Sequence, residues 1–347
     1  MKNIDNPLVS IIIPHFNNYF IIEECINSLK NINYDHLEII VVDNASTDDS
    51  VINIQNKFPE IIVYQSNKNL GYAGGCNLGA GIAKGEYLFF LNNDTVHEVD
   101  CLGFLVDTLN NNSNIVSVQP KIKNYNQKNM FDYAGASGGF IDFFVYPFCR
   151  GRIFNTVEND NGQYDDSIKV FWTSGTGFLT RREIFVQLRG FDEKLFSHME
   201  EIDYCWKCYL AGYDCYINTN AIIYHHGAKT LSYQSPFKTF LNHRNSMILL
   251  LTNYNIALSL LLIPFRIVLE VISSIVELLK LRIFHFIAHY GAILSLLNIF
   301  YLIKRRKLIN NIRVVSDVKL FNNKIIFNRS IVLQYFLLRN YFYKDIK

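Results

Sequence analysis

The sequence predicts an α/β fold, a doubly wound and mostly parallel sheet followed by a helical, membrane-associated carboxyl-terminal region, and three observations carry that expectation. Short, continuous apolar runs recur over the amino-terminal part of the chain, each followed by a stretch with helical spacing. Continuous runs mark strands covered on both faces, and strand–helix alternation gives βαβ units. After about residue 235 the chain becomes much more apolar, ending in a 21-residue stretch at 283–303 free of Asp, Glu, Lys and Arg. Finally, 347 residues at 50% hydrophobic composition are ample for a large core plus a smaller unit.

Taken in order, residues 8–13 read as a strand, 19–29 as a helix, 37–42 as a strand and 48–58 as a helix. Residues 61–64 form a third strand, a glycine-rich turn at 69–75 leads into a helix near 76–83, and 87–91 is the fourth strand. Between 120 and 167 the pattern weakens into Gly, Asn and aromatic residues, which suggests long loops or a hairpin. Regularity returns at 169–180, a helix begins near Glu200, and strand segments at 214–217 and 221–224 complete a domain expected over 1–235. The remainder, 236–347, is expected to be an amphipathic and apolar helical tail. Residues 283–303 are long enough to span a bilayer, or they lie in its interface, because Asn298, two His and two Tyr lower their hydropathy. Lys304-Arg-Arg-Lys307 would then sit on the cytoplasmic side and attract anionic head groups.

A net charge of +2 gives no global field and argues against a nucleic-acid partner. Seven cysteines without a regular framework, and no secretory signal ahead of the first strand, point to a reducing, cytosolic-side protein. Cys205-Trp-Lys-Cys208 supplies half of a zinc spacing, but the second pair is missing.

Chemistry concentrates at strand ends. Asn92-Asn-Asp94 closes the fourth strand, at the carboxyl edge where open α/β sheets bind ligands. Val41-Val-Asp-Asn-Ala-Ser-Thr-Asp48 closes the second; Asp43 there can accept from a base imide N–H or a ribose hydroxyl, or simply belong to a capping turn. With Val9-Ser-Ile-Ile-Ile-Pro-His-Phe-Asn-Asn18 before it, this stretch resembles the nucleotide-binding opening of the family 2 inverting glycosyltransferases of the GT-A fold. Asn67-Lys-Asn-Leu-Gly-Tyr-Ala-Gly-Gly-Cys-Asn-Leu-Gly79 and Phe171-Trp-Thr-Ser-Gly-Thr-Gly-Phe-Leu-Thr-Arg-Arg182 are similar to two further segments of that family. Glu200-Glu-Ile-Asp203 and Tyr224-His-His-Gly-Ala-Lys-Thr230 resemble its acidic and H-x-G motifs, so five ordered motifs span residues 8–230.

The resemblance implies donor binding by Pro14, His15, Asn17, Asp43, Asn44, Ser46, Gly71, Asn77 and Asn93. It implies a Mn²⁺ or Mg²⁺ held by Asp94 with His225, His226 being the fallback, in a D-x-D variant that keeps only the last carboxylate. The base that takes the acceptor hydroxyl's proton would be Glu201, with Asp203 as the alternative, while Glu200 has capping-box spacing from Ser197. The helix end is expected to keep Glu201 ionised. Phe240-Leu-Asn-His-Arg-Asn245 and the apolar helices after it resemble the rhamnosyltransferase-like branch. The implied activity is transfer of rhamnose or another hexose from a dTDP- or UDP-sugar to a hydroxyl on a glycan, lipid-linked and held at the cytoplasmic face of a membrane. Two rivals are an inactive, membrane-docked scaffold of the same fold and a sugar nucleotidylyltransferase; against the latter, Pro14-His-Phe-Asn-Asn18 has neither glycine nor Lys/Arg for a triphosphate.

Overall fold

The structure, a computed structural model, describes residues 6–227 and 235–346. The first half alternates as expected: β1 (Val9–His15), α1 (Tyr19–Lys30), β2 (Leu37–Asp43), α2 (Ser50–Lys57), β3 (Ile62–Gln65), α3 (Gly71–Ile82) and β4 (Tyr87–Leu91). It continues through β5 (Thr95–His97), α4 (Cys101–Asn111) and β6 (Ile115–Asn124). Four short strands, β7 (Gly139–Ile141), β8 (Pro147–Cys149), β9 (Arg152–Ile153) and β10 (Thr156–Val157), make a separate antiparallel sheet. Then come β11 (Gly177–Arg181), α5 (Arg182–Gln187), α6 (Glu200–Leu210) and β12 (Asp214–His225), one long strand with an irregularity between Asn218 and Ile222.

The main sheet has eight strands in the order β3-β2-β1-β4-β11-β6-β12-β5. β3, β2, β1 and β4 run parallel, as do β6 and β12, whereas β11 and β5 are antiparallel to their neighbours. Successive side chains of one strand serve opposite faces. Ile12 joins Val42, Leu88 and Phe90 on one face, and Ile11 and Ile13 join Val41, Phe89 and Leu105 on the other. Each such fully buried aliphatic side chain contributes about 1.5–3 kcal/mol. The parallel strands deliver His15, Asp43 and Asn92 to one carboxyl edge. The β12–β5 register pairs His225 with Thr95, which sets His225 beside Asp94.

Beyond the sheet, α7 (Pro236–Asn253) packs against α8 (Ile256–Leu279), α9 (Ile283–Leu294) and α10 (Ile299–Ile312). α8 has largely inverted polarity: besides Leu262 it buries Ser259, Arg266, Glu270 and Ser274, and it exposes Leu260, Leu261, Phe265, Val268, Ile272 and Ile275. It is also the one helix among the described residues long and apolar enough to cross a membrane unaided. The stretch 283–303, expected to be continuous, instead bends by 71° between α9 and α10. Asn298 makes the break, its side chain accepting from the Tyr301 N–H to start α10 afresh. The basic tetrad is likewise divided. Lys304 and Lys307 are exposed, but Arg305 is buried in ion pairs and Arg306 donates to the Leu251 and Tyr254 carbonyls.

The last helices, α11 (Asp317–Asn322), α12 (Ile331–Phe336) and α13 (Tyr343–Ile346), turn back onto the small sheet. Ile331 and Ile346 share a core with Phe148 and Ile153, and Asp142 accepts from the Ile331 N–H at 2.9 Å. Residues after 235 are therefore packed into the rest of the molecule rather than set apart from it. All seven cysteines are buried and free.

Candidate active site

A cleft of about 560 Å³ opens at the carboxyl edge of the sheet, roofed by the loop before α6 and by α7 and α8. Pro14, His15, Asn44, Gly71, Asn93, Asp94, Glu201 and His225 line it, together with Trp172, Ser174 and Gly175 of the small-residue segment before β11.

The metal-competent corner is the best defined part. His225, buried, places Nε2 3.1 Å from Asp94 Oδ1, while its Nδ1 lies 2.9 Å from Asp132 Oδ1. Donation from Nδ1 to Asp132 fixes the tautomer and leaves Nε2 turned toward Asp94. Asp94 Oδ1 and His225 Nε2 are the two atoms that would hold a Mn²⁺ or Mg²⁺ ion, which on binding would displace the proton that Nε2 shares with Asp94. Burial opposes a charge on His225, but Asp94 and Asp132 outweigh it and raise its pKa to about 10. Burial also works against Asp94, yet His225 holds it below the usual carboxylate range. Asn92, where a first carboxylate is usual in the motif, sits with Nδ2 3.4 Å from His225 Nε2. His226 points elsewhere, to Glu24 at 2.9 Å and a stack on Tyr125. Residues 228–230 of that motif lie outside the described residues.

On the nucleoside side, Asn93 Nδ2 lies 2.9 Å from His15 Nδ1. Burial lowers the His15 pKa to about 4, against the pull of Asp43 and Asp48, so the ring is neutral and accepts from Asn93. Asp43 takes the Ser46 N–H on both oxygens at 3.2 Å, and Ser46 Oγ accepts from Asn17 N at 2.8 Å. Asp43, Ser46 and Asn17 therefore tie β1's end to β2's end just outside the cleft lining; Asp43 retains acceptor sites after one N–H. Gly71 begins α3 at φ +68, and a Cβ there would strike the Phe196 carbonyl. The amino-terminal end of α3 is partly occupied, because the Gly71 N–H goes to Asn69 Oδ1 and the Ala73 N–H to Phe196 O.

Two expected residues, Asn77 and Asp203, serve the frame instead, as does Arg181 of the Phe171–Arg182 segment. Asn77 clamps the Phe191 backbone, donating to its carbonyl and accepting from its N–H, each at 2.9 Å. Arg181 holds the end of α4 through the Leu109, Asn112 and Ile115 carbonyls. Asp203, the alternative base, is fully buried away from the cleft and is held by Arg305 and by Asn253 Nδ2 at 2.8 Å.

Glu200 and Glu201 stand at the start of α6. No capping box forms; the N-cap is Met199 at φ 73, and Phe196 and His198 are left-handed as well. Asn245 of α7 holds this strained loop, its Nδ2 donating to the Leu195, Ser197 and His198 carbonyls at 3.0, 3.1 and 2.7 Å. Glu200 Oε2 and Glu201 Oε2 have no protein partner. Burial pushes the Glu201 carboxyl up to about 7 although nearby backbone N–H groups oppose it, and burial beside Glu201 raises Glu200 further still. The helix end thus fails to keep Glu201 at an ordinary carboxylate value.

Asp132 and Asn245 carry weight that the motifs did not assign. Asp132 lies in the weakly patterned loop region and has no signal of its own; Asn245 belonged to the looser F-L-N-H-R-N match.

The family model described as Glycosyl transferase family 2 matches residues 10–189, just over half of the chain. The chain is 26% identical over 233 residues to Glycosyltransferase GlyG of Streptococcus pneumoniae serotype 4, covering 62% of this chain and 70% of that one. It is 39% identical over 92 residues to the GalNAc(5)-diNAcBac-PP-undecaprenol beta-1,3-glucosyltransferase of Campylobacter jejuni, covering 25% of this chain and only 30% of that protein's length. In fold it is similar to the mannosyltransferase PcManGT from Pyrobaculum calidifontis, solved in complex with GDP-Man and Mn²⁺, at TM-score 0.51 and 16% identity, covering 84% of this chain and 86% of that one. With its GT-A sheet and the motif-bearing residues gathered at the sheet's carboxyl edge, the chain belongs to glycosyl transferase family 2.

Proposed function

We propose that this protein is a metal-dependent inverting glycosyltransferase that moves rhamnose or another hexose from a pyrimidine nucleoside diphosphate to a hydroxyl of a lipid-linked glycan. The observation that carries the reading is one cleft holding Asp94, His225 and the unpartnered Oε2 of Glu201 together. Asp43 reads the imide edge that uracil and thymine share, which is why dTDP-rhamnose and UDP-sugars stand equal. Asp94 and His225 would hold the cation, which would supply Lewis-acid neutralisation of the departing diphosphate. Glu201 Oε2 takes the acceptor's hydroxyl proton as that oxygen attacks the anomeric carbon from the face opposite the diphosphate, and one displacement inverts the centre. A carboxyl poised near 7 suits a base working at neutral pH.

The lipid linkage draws on the Campylobacter relative's stated substrate and on the helices. α8 exposes apolar side chains and buries its charges, the arrangement of a surface that meets lipid. Lys304 and Lys307, with Arg189 and Lys194, border a hollow of about 570 Å³ beside exposed Phe300 and Ile303, which suits an anionic leaflet. We read a peripheral enzyme docked on the cytoplasmic face. Calorimetry of UDP, dTDP and GDP with the detergent-purified protein, with and without Mn²⁺, tests the core of this. A pyrimidine diphosphate should bind tightly only with metal and only when Asp94 is intact; no binding to any of them by folded protein overturns the reading in favour of an inactive docked scaffold.

A further inference from the structure

From residue 236 to 346 the chain carries fifteen Lys and Arg against four acids, Glu270, Glu277, Asp317 and Asp345. The near-neutral total therefore hides a division between a basic helical end and an acidic remainder. Three of those acids are already paired, Glu270 with Arg266, Glu277 with Arg282 and Asp317 with Arg313. Positive charge gathered at one end of a molecule attracts an anionic partner.

The hollow of about 570 Å³ beside α10 is where that charge converges. Arg189 and Lys194 line it from the segment before α6, Lys304 and Lys307 line it from α10, and all four are exposed. Among the described residues none of the four has a carboxylate within ion-pair distance. Lys194 lies over the Tyr301 ring at 4.7 Å. The hollow's own acids are engaged: Asp192 Oδ2 accepts from Arg305 Nη1 at 2.6 Å and from the Tyr301 hydroxyl at 2.8 Å, and Glu193 Oε1 accepts from Asn77 Nδ2 at 3.1 Å. Four unpaired cations around one concavity focus its field on an anion.

α10 identifies the class of anion. Phe300, Ile303, Lys304 and Lys307 fall at i, i+3, i+4 and i+7, one stripe of that helix, and Phe300 is 89% and Ile303 61% exposed. A phosphate held by the lysines has room for acyl chains on the two apolar side chains beside them, whereas a free phosphate gains nothing from that stripe.

We infer that this hollow binds the phosphate headgroup of a single anionic phospholipid. The inference rests on the reading of a lipid-docked enzyme and adds a defined site that reaches the catalytic helix. Segment 189–194 runs on into the left-handed residues Phe196, His198 and Met199 that precede α6. Arg305, which also lines the hollow, already ties Asp192 to Asp203 of α6. A phosphate bridging Lys194 to Lys304 and Lys307 closes the same joint from outside, so an anionic leaflet steadies the loop that positions Glu201.

The test places the full-length protein on phosphatidylcholine vesicles with or without phosphatidylglycerol, and reads co-flotation together with amide hydrogen exchange over residues 195–203. Phosphatidylglycerol should slow that exchange by about tenfold. K194Q/K304Q/K307Q should abolish the slowing, whereas K319Q/K324Q/K344Q, which removes the same charge from exposed positions outside the hollow, should keep it. No slowing in the unsubstituted protein, or equal loss in both variants, overturns the site in favour of diffuse attraction. Inorganic phosphate in place of vesicles should leave the exchange unchanged; slowing by phosphate alone overturns the lipid assignment. Failure of the unsubstituted protein to float with either vesicle strikes the membrane reading itself, whereas flotation without slowing strikes only this site.

Discussion

His225 gives its Nδ1–H to Asp132 at 2.9 Å and thereby presents Nε2 to Asp94 at 3.1 Å, so a loop residue with no motif of its own sets the orientation of a metal-competent histidine. Removing that acceptor charge in D132N should weaken Mn²⁺ binding by about 10–100-fold while leaving the fold intact. Titration of Mn²⁺ in the presence of UDP measures it. Unchanged affinity would mean that the ion is held elsewhere.

Glu201 as the base predicts that E201Q lowers kcat by about 10²–10⁴-fold with little change in donor KM. Because burial lifts its carboxyl to about 7, the working anion forms only as pH rises through that value. The profile of kcat/KM should therefore show an acid limb near pH 7, rising toward alkaline pH. A limb near pH 4 would assign the base to a solvated carboxylate instead.

Glu200 offers a stability test with the opposite sign to most acids. Burial beside Glu201 raises its folded pKa far above the unfolded value, so the folded state binds the proton more tightly. Its contribution is fully present below the unfolded pKa and is lost as pH rises toward the folded one. E200Q removes that loss. Thermal melts should show E200Q gaining more over the parent at pH 8 than at pH 5, and an equal gain at both would contradict the burial argument.

Arg305 joins α10 to the helix that carries Glu201, pairing with Asp203 and reaching Asp192 Oδ2 at 2.6 Å. R305M leaves Asp203 buried, with Lys207 3.6 Å away as its nearest remaining cation. The loss should be about 3–5 kcal/mol in urea unfolding. A loss under 1 kcal/mol would mean that Lys207 and Asn253 suffice.

How much of this could be read from the chain follows from what each residue touches. β1, β2 and β4 were legible because burial on both faces makes them continuous apolar runs. β6 was not: Ser117, Gln119, Pro120 and Lys121 interrupt it, and each buried polar group is satisfied only in three dimensions. Ser117 meets Thr173 at 2.7 Å, Gln119 accepts from Ser174 N at 3.0 Å, and Lys121 reaches Asp160 at 3.2 Å. Glu201 and Asp203 are two positions apart and chemically alike, and the partners that separate their surroundings, Arg305, Asn253 and Lys207 around Asp203, are set by tertiary packing. Asn77 and Arg181 matched family segments and proved to be clamps, because a motif also records what keeps a site in shape. Asn298 was read as a dent in hydropathy, whereas its side chain ends one helix and starts the next.

The Arg305–Asp203 pair also orders events in time. The arginine is made 102 residues after the aspartate. At roughly 5–20 residues per second, the helix bearing Glu201 waits about 5–20 seconds on the ribosome with Lys207 as the only one of Asp203's two cations yet made. The helix bearing Glu201 therefore reaches its final packing only after α10 has emerged, so the last of its polar contacts is also the last to be synthesised.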